Sequence, residues 1–236
     1  MVSKEDVERT LQGISDLNTE MGAWAIIIPL VFVVLVISLL LYCYWKPGKK
    51  SSRALIGSLA VIYVYSGFTI LSGINEMGAA SAWVGAVALW AVAFFLVLDM
   101  IFYWTEIRLP ERLDLKVISI TLMATGIFIY PLLEIALGFT WPRMVLFGAE
   151  CPTTIFLIGL FIGSIPKVNK PLIVIASLNA LAVGLSFALN GAPFDFLYAA
   201  AGVIGILMII KDFRIIFRKS PVNTVGRDQA ARKMQI

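Results

Sequence analysis

Glu134 is the residue with the clearest capacity for chemistry, because it is a carboxyl group inside a long apolar stretch. Ionisable side chains are costly in a bilayer, so those that occur there usually pair or serve a function. Pro131 lies three residues earlier, leaves the carbonyl of Ile127 without its helical hydrogen bond, and is expected to kink the helix. A carboxyl group beside a kink indicates a ligand pocket or a proton site. The alternative is a carboxyl group that reaches the outer interface or pairs with Arg143.

A second candidate is the segment from Glu150 to Thr154, where a helix is predicted to begin. Cys151 is suited to the N-cap position and Pro152 to the first helical position. Thr153 and Thr154 would lie in the first turn. The unpaired N–H groups of a helix start favour an anion or a thiolate. Glu150 opposes a thiolate next to it. The segment therefore indicates either a binding or redox site, or simply a well-capped membrane helix.

Other polar residues are predicted at the same level of the membrane. Together with Glu134 and Glu150 they would form a mostly acidic outer rim, which would attract cations. The alternative is the ordinary polarity of outer loops. The remaining members of this rim are Asn75, Glu76, Asn190, Asp195 and Arg143.

Two further polar residues lie inside predicted spans. Asp99 is about one turn from the inner end of its span, and we expect it to extend toward the cytoplasm or to pair with a basic loop residue. Asn179 lies near the middle of its span and is expected to hydrogen-bond between helices or to bind a ligand.

The chain contains no histidine, which is the commonest metal ligand and the usual general base. A Ser-His-Asp triad, a histidine zinc site and histidine ligation of haem are therefore excluded, and there is no glycine-rich phosphate-binding loop. We predict no metal and no cofactor. An enzyme is less expected than a binding protein, and the one enzyme hypothesis is a thiol enzyme that depends on Cys151.

The elements that position these residues are apolar. The chain has 236 residues, of which 60% are hydrophobic and 14% charged. A bilayer span needs about 20 apolar residues. We predict an all-α polytopic membrane protein with an amphipathic helix over residues 1–21, a seven-helix domain over 22–216 and a basic tail over 217–236. The spans are 22–45, 54–74, 79–104, 117–138, 151–165, 171–190 and 194–216, the fifth being short enough to need its flanks or a thinner bilayer.

The basic residues predict the orientation. Of 19 Lys and Arg residues, only Lys4, Arg9 and Arg143 fall on one side of these spans, and the other sixteen fall on the opposite side. The positive-inside rule then places the N-terminus outside and the C-terminus in the cytoplasm. We expect a multi-pass protein of the cell membrane, whose basic residues face lipid headgroups. No nucleic-acid partner is predicted.

The first helix and two of the spans carry packing signals. Ser3 can cap a helix whose apolar face includes Val7 and Leu11. That helix is expected to lie on the outer leaflet or to dock a partner. Small residues are dense in spans three and six, which indicates close packing inside the bundle or in a homo-oligomer.

Part of the chain resembles the uncharacterised membrane family called domain of unknown function 6064. The resemblance covers about residues 55–205, and its most distinctive part is Cys151-Pro152-Thr153-Thr154. The other matching residues are Tyr130-Pro131-Leu132-Leu133, Gly138, Trp141-Pro142, Phe147-Gly148, Ile155-Phe156, Tyr63, Ile74-Asn75, Ala79-Ala80, Gly191, Pro193 and Asp195. The chain departs from the family near Val64 and Phe139, where histidine is expected. The resemblance implies a helical membrane fold and no particular activity.

Two functions fit these observations. The first is transport or binding of a small solute or an ion through an outer-leaflet polar vestibule. The second is a non-catalytic subunit or assembly factor of a membrane protein complex, to which the packing faces and the docking-type first helix are suited.

Overall fold

A computed structural model describes residues 3–73, 75 and 78–217. Glu76 and nearly all of the predicted basic tail lie outside these residues. The regular structure in the described part is helical, as predicted. The helices are α1 Lys4–Met21, α2 Trp24–Trp45, α3 Lys49–Ser72, α4 Ala79–Phe102, α5 Leu113–Ala124, α6 Tyr130–Ala136, α7 Glu150–Gly163, α8 Lys170–Leu189, α9 Phe196–Lys211 and α10 Phe213–Phe217.

Six helical segments are long and apolar enough to cross a membrane, among the residues that the structure describes. They are α2, α3, α4, the continuous stretch Leu113–Ala136, α8, and the stretch Pro193–Lys211. Large apolar side chains such as Leu30 and Val84 are more than half exposed on their surfaces. A surface of this kind is suited to lipid rather than water.

The predicted fifth span corresponds to a helix that is shorter than the other spans, as expected from its sequence. Helix α7 has 14 residues, which corresponds to about 21 Å of helix against a bilayer core of about 30 Å. It is too short to cross alone. Every residue from Pro152 to Gly163 is buried, because α7 packs against α5, α8 and α9 in the centre of the bundle.

The short central helix follows a non-helical segment, residues 144–149, that enters the bundle. Its backbone groups find side-chain partners there. Gly148 N–H donates to Thr153 Oγ1 at 2.9 Å, and the Gly148 carbonyl accepts from the Ser66 hydroxyl. Non-helical backbone is tolerated inside a membrane protein only where protein or water satisfies it. These bonds allow α7 to begin inside the bundle.

Glycines bring the inner helices close together. A Cβ atom on Gly159 of α7 would lie 2.9 Å from the backbone nitrogen of Met123 in α5. A Cβ atom on Gly202 of α9 would lie 2.4 Å from the backbone nitrogen of Leu181 in α8. Only glycine permits these backbone contacts, which hold α7 and α9 in place.

The segment before Pro131 is a π-helical turn, Thr125–Ile129. The Tyr130 N–H donates to the Thr125 carbonyl, five residues back. Proline lacks the N–H group that a regular helix needs, and a wide turn is one way in which a helix accommodates that loss.

Helix α1 lies across one end of the bundle, against α2 and α3. The side chains of Val7 and Leu11 are buried, with exposed fractions of 1% and 4%. Ser3 and Asp6 form a capping box at the start of α1. Gly22 has a φ of 56° at the corner between α1 and α2, a conformation that glycine adopts readily. The apolar face of α1 therefore covers the bundle itself, an arrangement that neither sequence hypothesis included.

Candidate functional site

A cavity of about 740 Å³ lies between α1 and the bundle. We call it the α1 cavity. Its walls are mostly apolar, and its polar lining includes groups at the start of α7. The apolar wall residues include Leu11, Ile14, Leu17, Pro29, Val183 and Phe187, and the polar lining includes Glu150, Cys151, Tyr130 and Asp195.

Glu150 is held in the cavity by two residues from neighbouring helices. The Asn179 side-chain nitrogen donates to Glu150 Oε1 at 2.8 Å, and the Tyr198 hydroxyl donates to the same oxygen at 3.3 Å. The Asn179 nitrogen also lies 3.0 Å from the Tyr198 hydroxyl. Within residues 3–73, 75 and 78–217, no hydrogen bond engages Glu150 Oε2. One carboxyl oxygen is therefore fixed by the protein, and the other is available to a ligand.

Asp195 and Tyr130 form a second polar pair beside Cys151. The Tyr130 hydroxyl donates to Asp195 Oδ1 at 2.6 Å, and both side chains are almost completely buried. The Cys151 thiol lies beside this pair. Asp195 is the last residue of the short 3-10 helix Pro193–Asp195. This helix positions the carboxyl group of Asp195 between α6 and α7.

Glu134 is buried, and it does not line the α1 cavity. Both of its carboxyl oxygens lie 3.1 Å from the backbone nitrogen of Val145, which donates to them. The expected alternative of a pair with Arg143 is wrong, since Arg143 pairs with Glu8; the position of Glu134 relative to the outer interface stays a prediction. The chain turns between residues 143 and 145, so that its backbone meets Glu134 while the Arg143 side chain points to α1.

Arg143 binds the first helix. Its guanidinium group lies 2.8 Å from Glu8 Oε1 and 3.2 Å from Gln12 Oε1. Asn18, further along α1, donates to the carbonyls of Pro142 at 2.7 Å and Met144 at 3.2 Å. The loop before α7 is therefore attached to the helix that covers the cavity.

The two threonines of α7 support the local structure. Thr153 accepts from Gly148 N–H, and Thr154 Oγ1 lies 2.7 Å from the Tyr63 hydroxyl. The N-cap is Ala149, one residue before α7 begins, so the prediction that Cys151 is the N-cap is wrong. The exact start of a helix is poorly determined by sequence because the first turn has several possible caps.

The predicted outer rim is only partly assembled. Glu150 and Asp195 meet at the cavity, but Glu150 lies at the level of Asn179, which is halfway along α8. It is deep in the bundle because the chain enters as a non-helical segment before α7 starts. Asn75 is exposed and is not part of the cavity lining. Asn190 bonds to the Ser186 carbonyl of its own helix at 2.8 Å.

Asp99 lies at the opposite end of the bundle and stabilises a loop there. It is buried, and it accepts from the backbone nitrogen of Thr105 at 2.8 Å and from the Thr105 hydroxyl at 2.5 Å. The same hydroxyl oxygen accepts from Asn169 N–H at 2.9 Å. Asp99 thus neither extends to the surface nor pairs with a basic residue, because two loops close over it.

Sequence reasoning gave no site role to three tyrosines, although two of them, Tyr63 and Tyr130, were among the residues of the family resemblance. Tyr63, Tyr130 and Tyr198 are each 1% exposed or less, and each hydroxyl bonds to a polar group at or near the start of α7 or to Asp195. A buried tyrosine hydroxyl usually has a partner, so tyrosines inside apolar spans were the available signal. The described residues include no group of three or more side chains that could hold a metal ion.

A model for a family of unknown function, DUF6064, matches residues 8–219 of the chain. The chain belongs to this family. The resemblance found in the motif around Cys151 is thereby confirmed, and the match extends well beyond it at both ends. In this DUF6064 protein the matched region contains most of α1 and the polar residues Tyr130, Glu150, Cys151 and Asp195 of the cavity lining. None of the curated proteins or solved structures compared with the chain matches it.

Proposed function

We propose that this protein crosses the cell membrane seven times, with its N-terminus outside. Six apolar helical segments supply six crossings, and residues 144–149 together with α7 supply the seventh. The distribution of Lys and Arg residues supports the orientation. The α1 cavity then opens toward the outer side, and the basic loops and tail lie in the cytoplasm.

In this membrane the protein binds and transports a small solute or an ion through the α1 cavity. One observation carries the proposal: a cavity of about 740 Å³ holds a carboxyl group, Glu150, with one oxygen free of protein donors among the described residues. Cavities of about 300–1,000 Å³ with a few fixed polar groups are typical of small-molecule sites. Helix α1 forms one wall of this cavity, so we expect movement of α1 to change the access of a solute to Glu150.

The transport test uses the full chain in proteoliposomes. Uptake of a panel of radiolabelled solutes is compared for the wild-type protein, Glu150→Gln and Glu111→Gln. Glu111 is exposed and lies at the opposite end of the bundle, so it is the matched control. We expect uptake of at least one solute to fall strongly in Glu150→Gln alone. Equal uptake in all three proteins would remove the cavity from the transport route.

The orientation has its own test. Cysteines replace Gln12 in α1 and Glu111 in the loop before α5, one at a time, in a protein whose two native cysteines are serines. A membrane-impermeant maleimide applied to intact cells should label position 12 and not position 111. Labelling of both positions, or of position 111 alone, contradicts the proposed topology.

The subunit hypothesis makes a different prediction. A stable partner that remains with the full chain in mild detergent, combined with no uptake of any solute, would support the role of a non-catalytic subunit or assembly factor. A single monodisperse species that transports a solute would exclude that role.

A further inference from the structure

We propose that the ligand of the α1 cavity is an organic cation with an apolar body, such as a hydrophobic ammonium or amidinium compound. This inference rests on the proposed function and names the class of its substrate. It depends on three properties of the cavity: the charge of its deep part, the nature of its walls and its size.

The deep part of the cavity has carboxyl groups without cationic partners. Glu150 and Asp195 both line it. None of the ion pairs in the described part of the chain involves either residue. Arg9 lines the cavity on the α1 side, but its guanidinium group is paired with Glu5. A cation that reaches Glu150 would supply the missing charge, and the low dielectric constant of the interior strengthens that attraction.

Glu150 is also oriented for such a ligand. Asn179 and Tyr198 both donate to Oε1, which holds this oxygen in place and leaves Oε2 to accept from the ligand. These two residues are positioning residues, since they act through Glu150. A fixed acceptor binds a donor with less loss of side-chain entropy than a mobile one.

The walls favour an organic ligand over a bare inorganic ion. Leu11, Ile14 and Leu17 face the cavity from α1, and Val183 and Phe187 face it from α8. Apolar contact stabilises a hydrocarbon group by about 25 cal/mol per Å² of area removed from water. A hydrated metal ion gains no such stabilisation from apolar walls. The described residues also lack a group of three side chains suited to a metal ion. A volume of about 740 Å³ accommodates a body of many non-hydrogen atoms.

Three probes that share one apolar cage and differ in charge test the inference: adamantyl amine, adamantanol and adamantane carboxylate. Binding to the full chain in lipid nanodiscs is measured by isothermal titration calorimetry, with empty nanodiscs subtracted. We expect the amine to bind tighter than the alcohol by on the order of tenfold to a hundredfold, and the carboxylate to bind weakest. Glu150→Gln should abolish the preference for the amine, and Glu111→Gln should retain it.

Several outcomes separate this inference from the proposed function. Equal binding of amine and alcohol to the wild-type protein overturns the charge preference and leaves solute binding intact. A preference for the amine that persists in Glu150→Gln also overturns it. Binding of none of the three probes, with uptake in proteoliposomes of a solute that is not an organic cation, overturns the substrate class alone. The absence of both binding and uptake overturns the proposed function as well.

A second variant keeps the test valid if Glu150→Gln fails to fold. Leu17→Trp adds volume to the α1 wall without touching the hydrogen bonds of Glu150. We expect it to weaken binding of the amine by about tenfold or more, through overpacking of the site. Unchanged affinity of this variant would place the ligand outside the cavity and overturn the inference.

Discussion

The side-chain nitrogen of Asn179 lies 2.8 Å from Glu150 Oε1, and this bond joins the middle of α8 to the first residue of the central helix. Glu150 is the first helical residue after a non-helical segment, so nothing in its own helix fixes its side chain. The neighbouring helices α8 and α9 do so instead, through Asn179 and Tyr198.

Asn179→Leu should destabilise the protein. A hydrogen bond to a charged group contributes about 1.5–3 kcal/mol, so we expect a clear fall in the melting temperature measured by differential scanning fluorimetry in detergent. Asn190→Leu is the control, because Asn190 bonds only to a carbonyl of its own helix near the helix end. An equal fall in melting temperature in the two variants would show that the hydrogen bond to Glu150 contributes no more stability than the hydrogen bond of Asn190.

Apolar burial, rather than the ion pair with Arg143, should hold α1 on the bundle. Leu11→Ala removes a side chain that is 4% exposed, and such truncations cost about 2–5 kcal/mol in protein cores. Arg143→Gln breaks an ion pair whose side chains are 41% and 62% exposed, and exposed pairs contribute little.

Hydrogen exchange measured by mass spectrometry distinguishes these two contributions. We expect exchange over residues 4–21 to become faster by on the order of tenfold or more in Leu11→Ala. In Arg143→Gln it should change by less than about fivefold. The reverse order would show that the charged contact controls the position of α1.

Cys151 should be protected from thiol reagents by α1. Its side chain is partly exposed and lines the cavity that α1 borders, so α1 should slow the approach of a reagent to the thiol. In a Cys43→Ser background, we expect a small maleimide to label Cys151 more slowly than a cysteine in a short peptide, and Leu11→Ala to increase the rate. Labelling of the parent protein at the peptide rate would mean that α1 does not protect the thiol.

Gly202→Ala should disrupt the contact between α8 and α9. The added Cβ atom would lie 2.4 Å from the backbone nitrogen of Leu181, which cannot move without its helix. Overpacking of this kind costs about 1–3 kcal/mol. Gly48→Ala is the control, since a Cβ atom there has no neighbour within 4 Å. A smaller fall in melting temperature for Gly202→Ala than for Gly48→Ala would contradict the close packing of these helices.

Several features of the fold could be predicted from the sequence because they depend on local composition. The helical class follows from the apolar stretches, since a backbone in lipid must satisfy its own hydrogen bonds. The family could be recognised from the residues around Cys151, and the match over residues 8–219 confirms it. The orientation of the protein in the membrane remains a prediction from its Lys and Arg residues.

The candidate site could be predicted only in part. Glu150, Cys151 and Asp195 were expected near one another, and they do line one cavity. Glu134 was the clearest single candidate, with a structural role left open, and the backbone N–H of Val145 donates to its carboxyl group. Such a partner is invisible in a sequence, because every residue except proline carries the same backbone N–H group.

The amino-acid sequence by itself determined that the chain forms apolar helices and that carboxyl groups occur among them, because both depend only on residue type and order. The tertiary structure decided how deep Glu150 lies in the helical bundle and how α1 packs over one end of that bundle. Those properties depend on where a non-helical segment enters the bundle and on which side chains from distant helices satisfy it. Asn179 and Tyr198 lie 29 and 48 residues from Glu150 in the chain, and only packing brings them to one carboxyl oxygen.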